Sequence, residues 1–138
     1  MELSAIVRRS SCPVRVITTC KQRLRTVEYP IQELNLTAGW TVQYHEFYAV
    51  DPTSGFVADG DARLLFKEDM YQATHELHRR LLDLGWYPEG EWDAGSYGLV
   101  LYAGDYQGQL IREIRTKNRV DIVRTMNKWF HAVTKGEL

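Results

Sequence analysis

The chain carries two cysteines among its 138 residues, Cys12 and Cys20, too few for the disulfide framework of a small secreted domain and without the paired spacing of a zinc knuckle. They are expected to be unpaired thiols in a reducing compartment. No apolar run approaches the roughly 20 residues that a membrane-crossing helix needs, so no transmembrane span is expected. Arg8-Arg9 lies in an amino-terminal stretch with arginine, serine and threonine. No apolar segment follows the pair, which argues against a twin-arginine signal, and the stretch is not expected to be a transit peptide either. The signatures of several chemistries are also missing. There is no Gly-x-Ser-x-Gly elbow and no glycine-rich run leading through Gly-Lys-Ser/Thr into a helix. His75-Glu76-Leu77-His78 misses the i,i+4 histidine spacing of a zincin, and Asp51-Pro52-Thr53-Ser54-Gly55 fails the oxygen and glycine positions of an EF-hand. No catalytic residue, metal site or cofactor is therefore assigned.

What the sequence does have is a globular composition, 44% hydrophobic and 25% charged, which excludes disorder and low complexity. Its length fits one domain over residues 1–138. The charge is laid out in blocks. Residues 26–62 carry six acids and residues 81–111 five, neither with any Lys or Arg, whereas 1–25 carry six bases against one acid and 112–138 seven against three. The net charge of −1 is a cancellation of these blocks, a pattern that bears on partners and association rather than on fold.

Hydrophobic periodicity places the elements. Val14, Val16 and Thr18 alternate as a strand after Pro13, and Thr26 to Tyr29 with Ile31 to Leu36 form an extended stretch broken by Pro30. Trp40, Val42 and Tyr44 alternate as a half-buried strand, and Ala62 to Phe66 gives a further short one. From Glu68, the recurrence of Met70, Ala73, Leu77, Leu81 and Leu84 at three- and four-residue steps predicts an amphipathic helix capped by Gly85. Tyr97 to Tyr102 and Gln109 to Thr116 form a hairpin around Gly104 to Gly108. Asn118 caps a last helix whose apolar face is built from Ile122, Met126, Trp129, Phe130 and Val133. Strands, helix, hairpin and helix in this order predict an α+β fold: a mixed, mainly antiparallel sheet with two amphipathic helices packed on one face.

The segment from Trp86 to Tyr106 stands out because it combines acids and aromatics with no Lys or Arg. Aromatic side chains offer large contact area at small entropic cost, and carboxylates steer a basic partner. Glu89, Glu91, Asp93 and Asp105 are expected to supply the charge of a partner-binding surface, with Trp92, Tyr97 and Tyr106 as anchors and Asp59 and Asp61 as additional acids. Two other uses of the chain remain open. The basic segments 1–25 and 112–128, with Trp129 and Phe130 for stacking, would suit a small nucleic-acid-binding module. Tyr44, His45, Tyr48 and His75 would line the pocket of a small enzyme or ligand-binding domain.

Phe66-Lys67-Glu68-Asp69, Leu84-Gly85-Trp86-Tyr87-Pro88-Glu89 and the closing helix from Arg119 through Ile122-Val123 to Trp129-Phe130 resemble the small immunity proteins of bacterial contact-dependent growth inhibition and related polymorphic toxin systems. The resemblance covers the carboxy-terminal half. It implies an α+β protein of the bacterial cytoplasm that performs no chemistry itself and binds a cognate toxin domain, expected to be a basic nuclease, through an acidic face. It assigns no role residue by residue. On this reading, reversing two of Glu89, Glu91 and Asp93 to Lys is expected to weaken binding of the partner by more than about tenfold and to leave the residual affinity less salt-dependent, as measured by titration at two salt concentrations.

Overall fold

In the computed structural model, residues 14–18, 26–52, 61–91 and 93–138 are described. Two short strands, β1 (Val14–Thr18) and β2 (Thr26–Pro30), form an antiparallel pair. They precede β3 (Trp40–His45), a four-residue helix α1 (Ala62–Leu65), β4 (Tyr71–His75), β5 (Arg80–Tyr87), β6 (Ser96–Ala103), β7 (Gln109–Thr116) and the long helix α2 (Arg119–Thr134). Strands β3 to β7 form one sheet in chain order, every neighbouring pair antiparallel. The fold class is thus α+β. Consecutive antiparallel strands need only short connections, which residues 76–79, 88–95 and 104–108 supply from β4 to β7, whereas β3 and β4 are joined by the longer segment 46–70 that carries α1.

Two expected elements are different in kind. The helix expected from Glu68 to Leu84 is instead the hairpin β4–β5, with Glu76-Leu77-His78-Arg79 as its turn. Leu77, assigned to the buried stripe, is 81% exposed at the tip of that turn. Tyr71, Ala73 and His75 are buried in alternation, whereas Leu81 to Trp86 are buried without a break. A central strand covered on both faces carries a continuous apolar run, and such a run also satisfies three- and four-residue steps. Ala62 to Phe66, expected as a strand, forms α1, closed by the Phe66 N–H on the Ala62 carbonyl at 2.8 Å. Of the stretch from Ile31 to Leu36, only Ile31 takes part in a bridge, with Tyr48. Cys12, Cys20 and residues 53–60 lie outside the described residues.

The core lies on one face of the sheet, beneath α2. Tyr71, Leu82, Leu84, Trp86, Tyr97, Leu99 and Leu101 come from the strands and Ile122, Met126, Trp129, Phe130 and Val133 from the helix. Edge-on aromatic pairs join the layers, with Trp40 and Phe130 at 5.1 Å and Phe47 and Tyr97 at 5.8 Å between ring centres. Asn118 caps α2 as expected, its side-chain oxygen accepting the Asp121 N–H at 3.2 Å. The segment after Ile31 straps the helix to the sheet edge: Asn127 Oδ1 accepts the Asn35 N–H at 2.8 Å, and the Phe130 carbonyl accepts both Thr37 Oγ1 and Trp40 Nε1.

On the opposite, outer face the backbone leaves the sheet and crosses it. The Met70 N–H bonds the Leu84 carbonyl and the Trp86 N–H bonds the Lys67 carbonyl, so Glu68-Asp69 arches over β5 at Gly85. A Cβ on Gly85 would sit 2.2 Å from the Glu68 carbonyl oxygen. Its cross-strand partner is Gly98, over which the Tyr87 ring lies. Gly85 is therefore required for close approach inside a strand and not for a helix cap. Gly85→Ala is expected to cost about 1–3 kcal/mol, the range for forcing atoms into a packed site, measured by urea unfolding; a loss within experimental error would show that the arch moves freely.

Candidate functional site

The outer face is polar and rich in tyrosine. Tyr44, Gln72, Asp83, Val100 and Glu113 are successive cross-strand partners from β3 to β7. Side chains alternate between the faces of a strand, so these residues point away from the core residues Tyr71, Leu82, Leu84, Leu99 and Ile114. At the centre, Asp83 is only 6% exposed. Its Oδ2 accepts the hydroxyl of Tyr106, which folds back from the β6–β7 turn, and the Tyr106 oxygen accepts in turn from Gln72 Nε2. The Tyr106 ring meets Tyr102 edge-on at 5.8 Å. From the other end, the arch brings Asp69, whose Oδ1 lies 3.5 Å from the Tyr44 hydroxyl, and Glu68, whose carbonyl faces the Tyr87 hydroxyl at 3.4 Å. Glu89 fastens the arch by accepting the Glu68 N–H at 3.0 Å.

Electrostatics follow from this packing. Among the described residues Asp83 makes no ion pair. Burial pushes its carboxyl above the usual carboxylate value, and the negative charge of Asp69 adds to this; the hydroxyls of Tyr106 and Tyr44 pull the other way. Burial and then the Asp83 charge hold the Tyr44 and Tyr87 hydroxyls above the ordinary phenol value. Tyr106 is raised in the same way, with its hydrogen bond to Asp83 contributing. The chemistry on offer is that of a desolvated carboxylate among neutral phenols, with the guanidinium of Arg115 5.6 Å from the Tyr87 ring centre at the rim.

The residues expected to form the partner surface are dispersed. Glu89, Glu91 and Asp93 belong to the loop before β6, whereas Asp105 and Tyr106 follow it. The length of β6 separates the two groups, about 24 Å at 3.4 Å per residue. Glu91 acts through its backbone carbonyl, which accepts Trp86 Nε1 at 2.9 Å and the Gly95 N–H at 3.0 Å, while Asp93 offers its carbonyl to Lys117. Asp105 caps its own turn through the Gln107 N–H at 2.9 Å. Tyr97 is not a surface anchor: it is fully buried against Phe47, Phe66 and Trp86, because odd-numbered positions of β6 face the core. Asp61 is not a surface acid either. It is fully buried and accepts the Tyr29 hydroxyl at 2.6 Å. Trp92 and Asp59 lie outside the described residues. Of the expected set, Tyr106 and Glu89 reach the outer face.

The remaining candidates have structural employment. His75 accepts the His78 N–H on Nδ1 and donates from Nε2 to the Ala38 carbonyl at 3.1 Å. His45 repeats the arrangement with the Phe47 N–H and the Gln32 carbonyl. Tyr48 is buried beside Tyr29, so Tyr44, His45, Tyr48 and His75 do not converge on one pocket. In the basic segment, Arg119 bonds Asp51 at 2.8 Å and Arg124 bonds Asp121 at 2.9 Å. The members of the site that sequence reasoning passed over are Asp83 and Gln72, while Glu68, Asp69 and Tyr87 entered it within the stretches that carry the family resemblance without being assigned to the partner surface. One signal was present: an acid inside the apolar run Leu81-Leu82-Asp83-Leu84.

Comparison with protein-family models, with curated proteins and with solved structures gave no match. The physical test of the site is its titration. A folded-state pKa above the unfolded value means that the folded protein holds its proton more tightly, so this group's contribution to stability is present below the ordinary carboxylate value of 3.8 and falls as pH rises through the higher folded value. Asp83→Asn is expected to flatten this fall in urea unfolding between acid and neutral pH; identical slopes in the two proteins would mean that Asp83 carries no such strain.

Proposed function

We propose that the protein is a binding module that docks a basic protein partner on the acidic, tyrosine-lined outer face of its sheet and performs no chemistry of its own. The observation that carries this reading is Asp83, a carboxylate almost removed from water and left without a Lys or Arg ion pair among the described residues. A charge held this way is costly alone and is relieved by a cation brought from outside. A guanidinium or ammonium inserted between Tyr106 and Tyr44 would meet Asp83 and Asp69 in a region of weak screening, with phenol rings to cover its stem and face its charge. The tyrosines supply the rigid contact area typical of interface anchors.

The immunity reading is the specific form of this proposal: the partner is a cognate toxin domain, a basic nuclease, met in the bacterial cytoplasm and blocked by occupation of its phosphate-binding surface. Two of the stretches on which the family resemblance rests support it. Phe66 to Asp69 and Leu84 to Glu89 lie side by side, joined through the Lys67 carbonyl and the Glu89 carboxylate, and they carry Glu68, Asp69 and Tyr87. Among the described residues no helix is long and apolar enough to cross a membrane.

The test is capture by the tagged full chain from its native cells at low and moderate salt, with protein and nucleic acid analysed separately. One stoichiometric basic protein is expected, with affinity reduced about tenfold or more when the exposed arch acids are reversed together, Glu68→Lys with Asp69→Lys. Unchanged affinity in that variant removes the outer face from the mechanism. Nucleic acid released by salt, with no protein partner, replaces the proposal with binding by the basic segments.

A further inference from the structure

Strand β7 is the outer edge of the five-stranded sheet. Its backbone groups pair with β6 on one side only, and among the described residues no other backbone bonds to it. It runs for eight residues, most of them exposed. A long bare edge is a template for another strand, and its side chains decide which strand fits. In a sheet continued by a second copy about a twofold axis perpendicular to it, residues directly opposite must share a face, so only registers centred on a residue are allowed.

Those registers are unequal. Centred on Arg112, on Glu113 or on Arg115, each sets a like charge directly against itself, which is destabilising. Centred on Ile111, where the pairing with β6 shifts by one residue, the strand would set Glu113 of the outer face against Gln109 of the core face. Centred on Ile114, it sets Ile114 against Ile114 and places Glu113 opposite Arg115 twice over, by symmetry. Glu113 and Arg115 already approach within 3.8 Å along one strand on the outer face, so both are positioned to cross to a neighbour.

We propose that β7 is a self-association edge, through which two copies pair antiparallel about Ile114 into a continuous ten-stranded sheet. The twofold keeps both α2 helices on one side and sets the two acidic faces side by side on the other. The pairing stands independently of what those faces bind.

Sedimentation equilibrium of the full chain is expected to show a monomer–dimer equilibrium. Glu113→Arg and Arg115→Glu should each weaken it by roughly tenfold or more, since each turns two attractive cross-strand pairs into repulsive ones. The double variant Glu113→Arg/Arg115→Glu should restore the dimer. With Cys12 and Cys20 replaced by Ser, Ile114→Cys should cross-link on mild oxidation, because residues facing themselves across an antiparallel pair lie about 4.5–5.5 Å apart between Cα atoms, within disulfide reach. Leu110→Cys, displaced along the strands, should not. A monomer at every concentration overturns the proposal. So does a dimer indifferent to the charge series, or one that cross-links at residue 110 as readily as at 114.

Discussion

Burial of β5 on both faces is the constraint on which the rest of the structure depends. Leu82, Leu84 and Trp86 enter the core beneath α2, while Leu81, Asp83 and Gly85 are covered from the outer side. Covering the outer side of a central strand requires chain that is not part of the sheet. It comes from the Glu68-Asp69 arch at one end and from Tyr106 at the other. Glycine at position 85 is what lets the arch lie against the strand, and Gly98 beside it makes room for the Tyr87 ring.

The same covering creates the electrostatic character of the outer face. Asp83 is desolvated by the groups that close over it, and its compensation consists of hydroxyls, which are dipoles and not charges. A buried carboxylate satisfied by neutral donors retains a net field. The absence of Lys and Arg from residues 81–111 leaves β6 without a cation and β5 with Arg80 alone, whose guanidinium donates to the main-chain oxygens of His78, Arg79 and Leu138, and Arg115 stands at the rim. The tyrosines thus have two roles, as lid over the strand and as the surface a partner would touch.

Much of the fold was legible in the sequence. The strand Trp40–His45, the β6–β7 hairpin, the Asn118 cap and the apolar stripe of α2 all follow local rules of period, turn and capping that the structure obeys. The helix expected from Glu68 to Leu84 failed because its apolar steps came from two different causes: alternating burial in β4 up to His75 and double-sided burial in the central β5 after Arg80. Tyr97 and Tyr106 illustrate the limit for the site. Both belong to the same acidic aromatic segment, yet one is a core residue of β6 and the other a surface residue of the following turn, because strand parity decides one and the fold of a turn decides the other. Asp83 is visible as an anomaly within an apolar run, but helical spacing over that run places it on a solvated surface.

By itself, the sequence determined the α+β class, the positions of the local elements with strong period and caps, and the segregation of acids and aromatics from bases along the chain. These depend on neighbours within a few residues, where dihedral preference, turn chemistry and side-chain spacing act. Only the tertiary structure decided that Glu68, Asp69, Asp83, Tyr44, Tyr87 and Tyr106 share one face, and that Glu91 and Asp93 lie at the far end of β6 from Asp105. Strand register and the path of an arch across a sheet are set by which surfaces can be buried together, and that condition joins residues tens of positions apart.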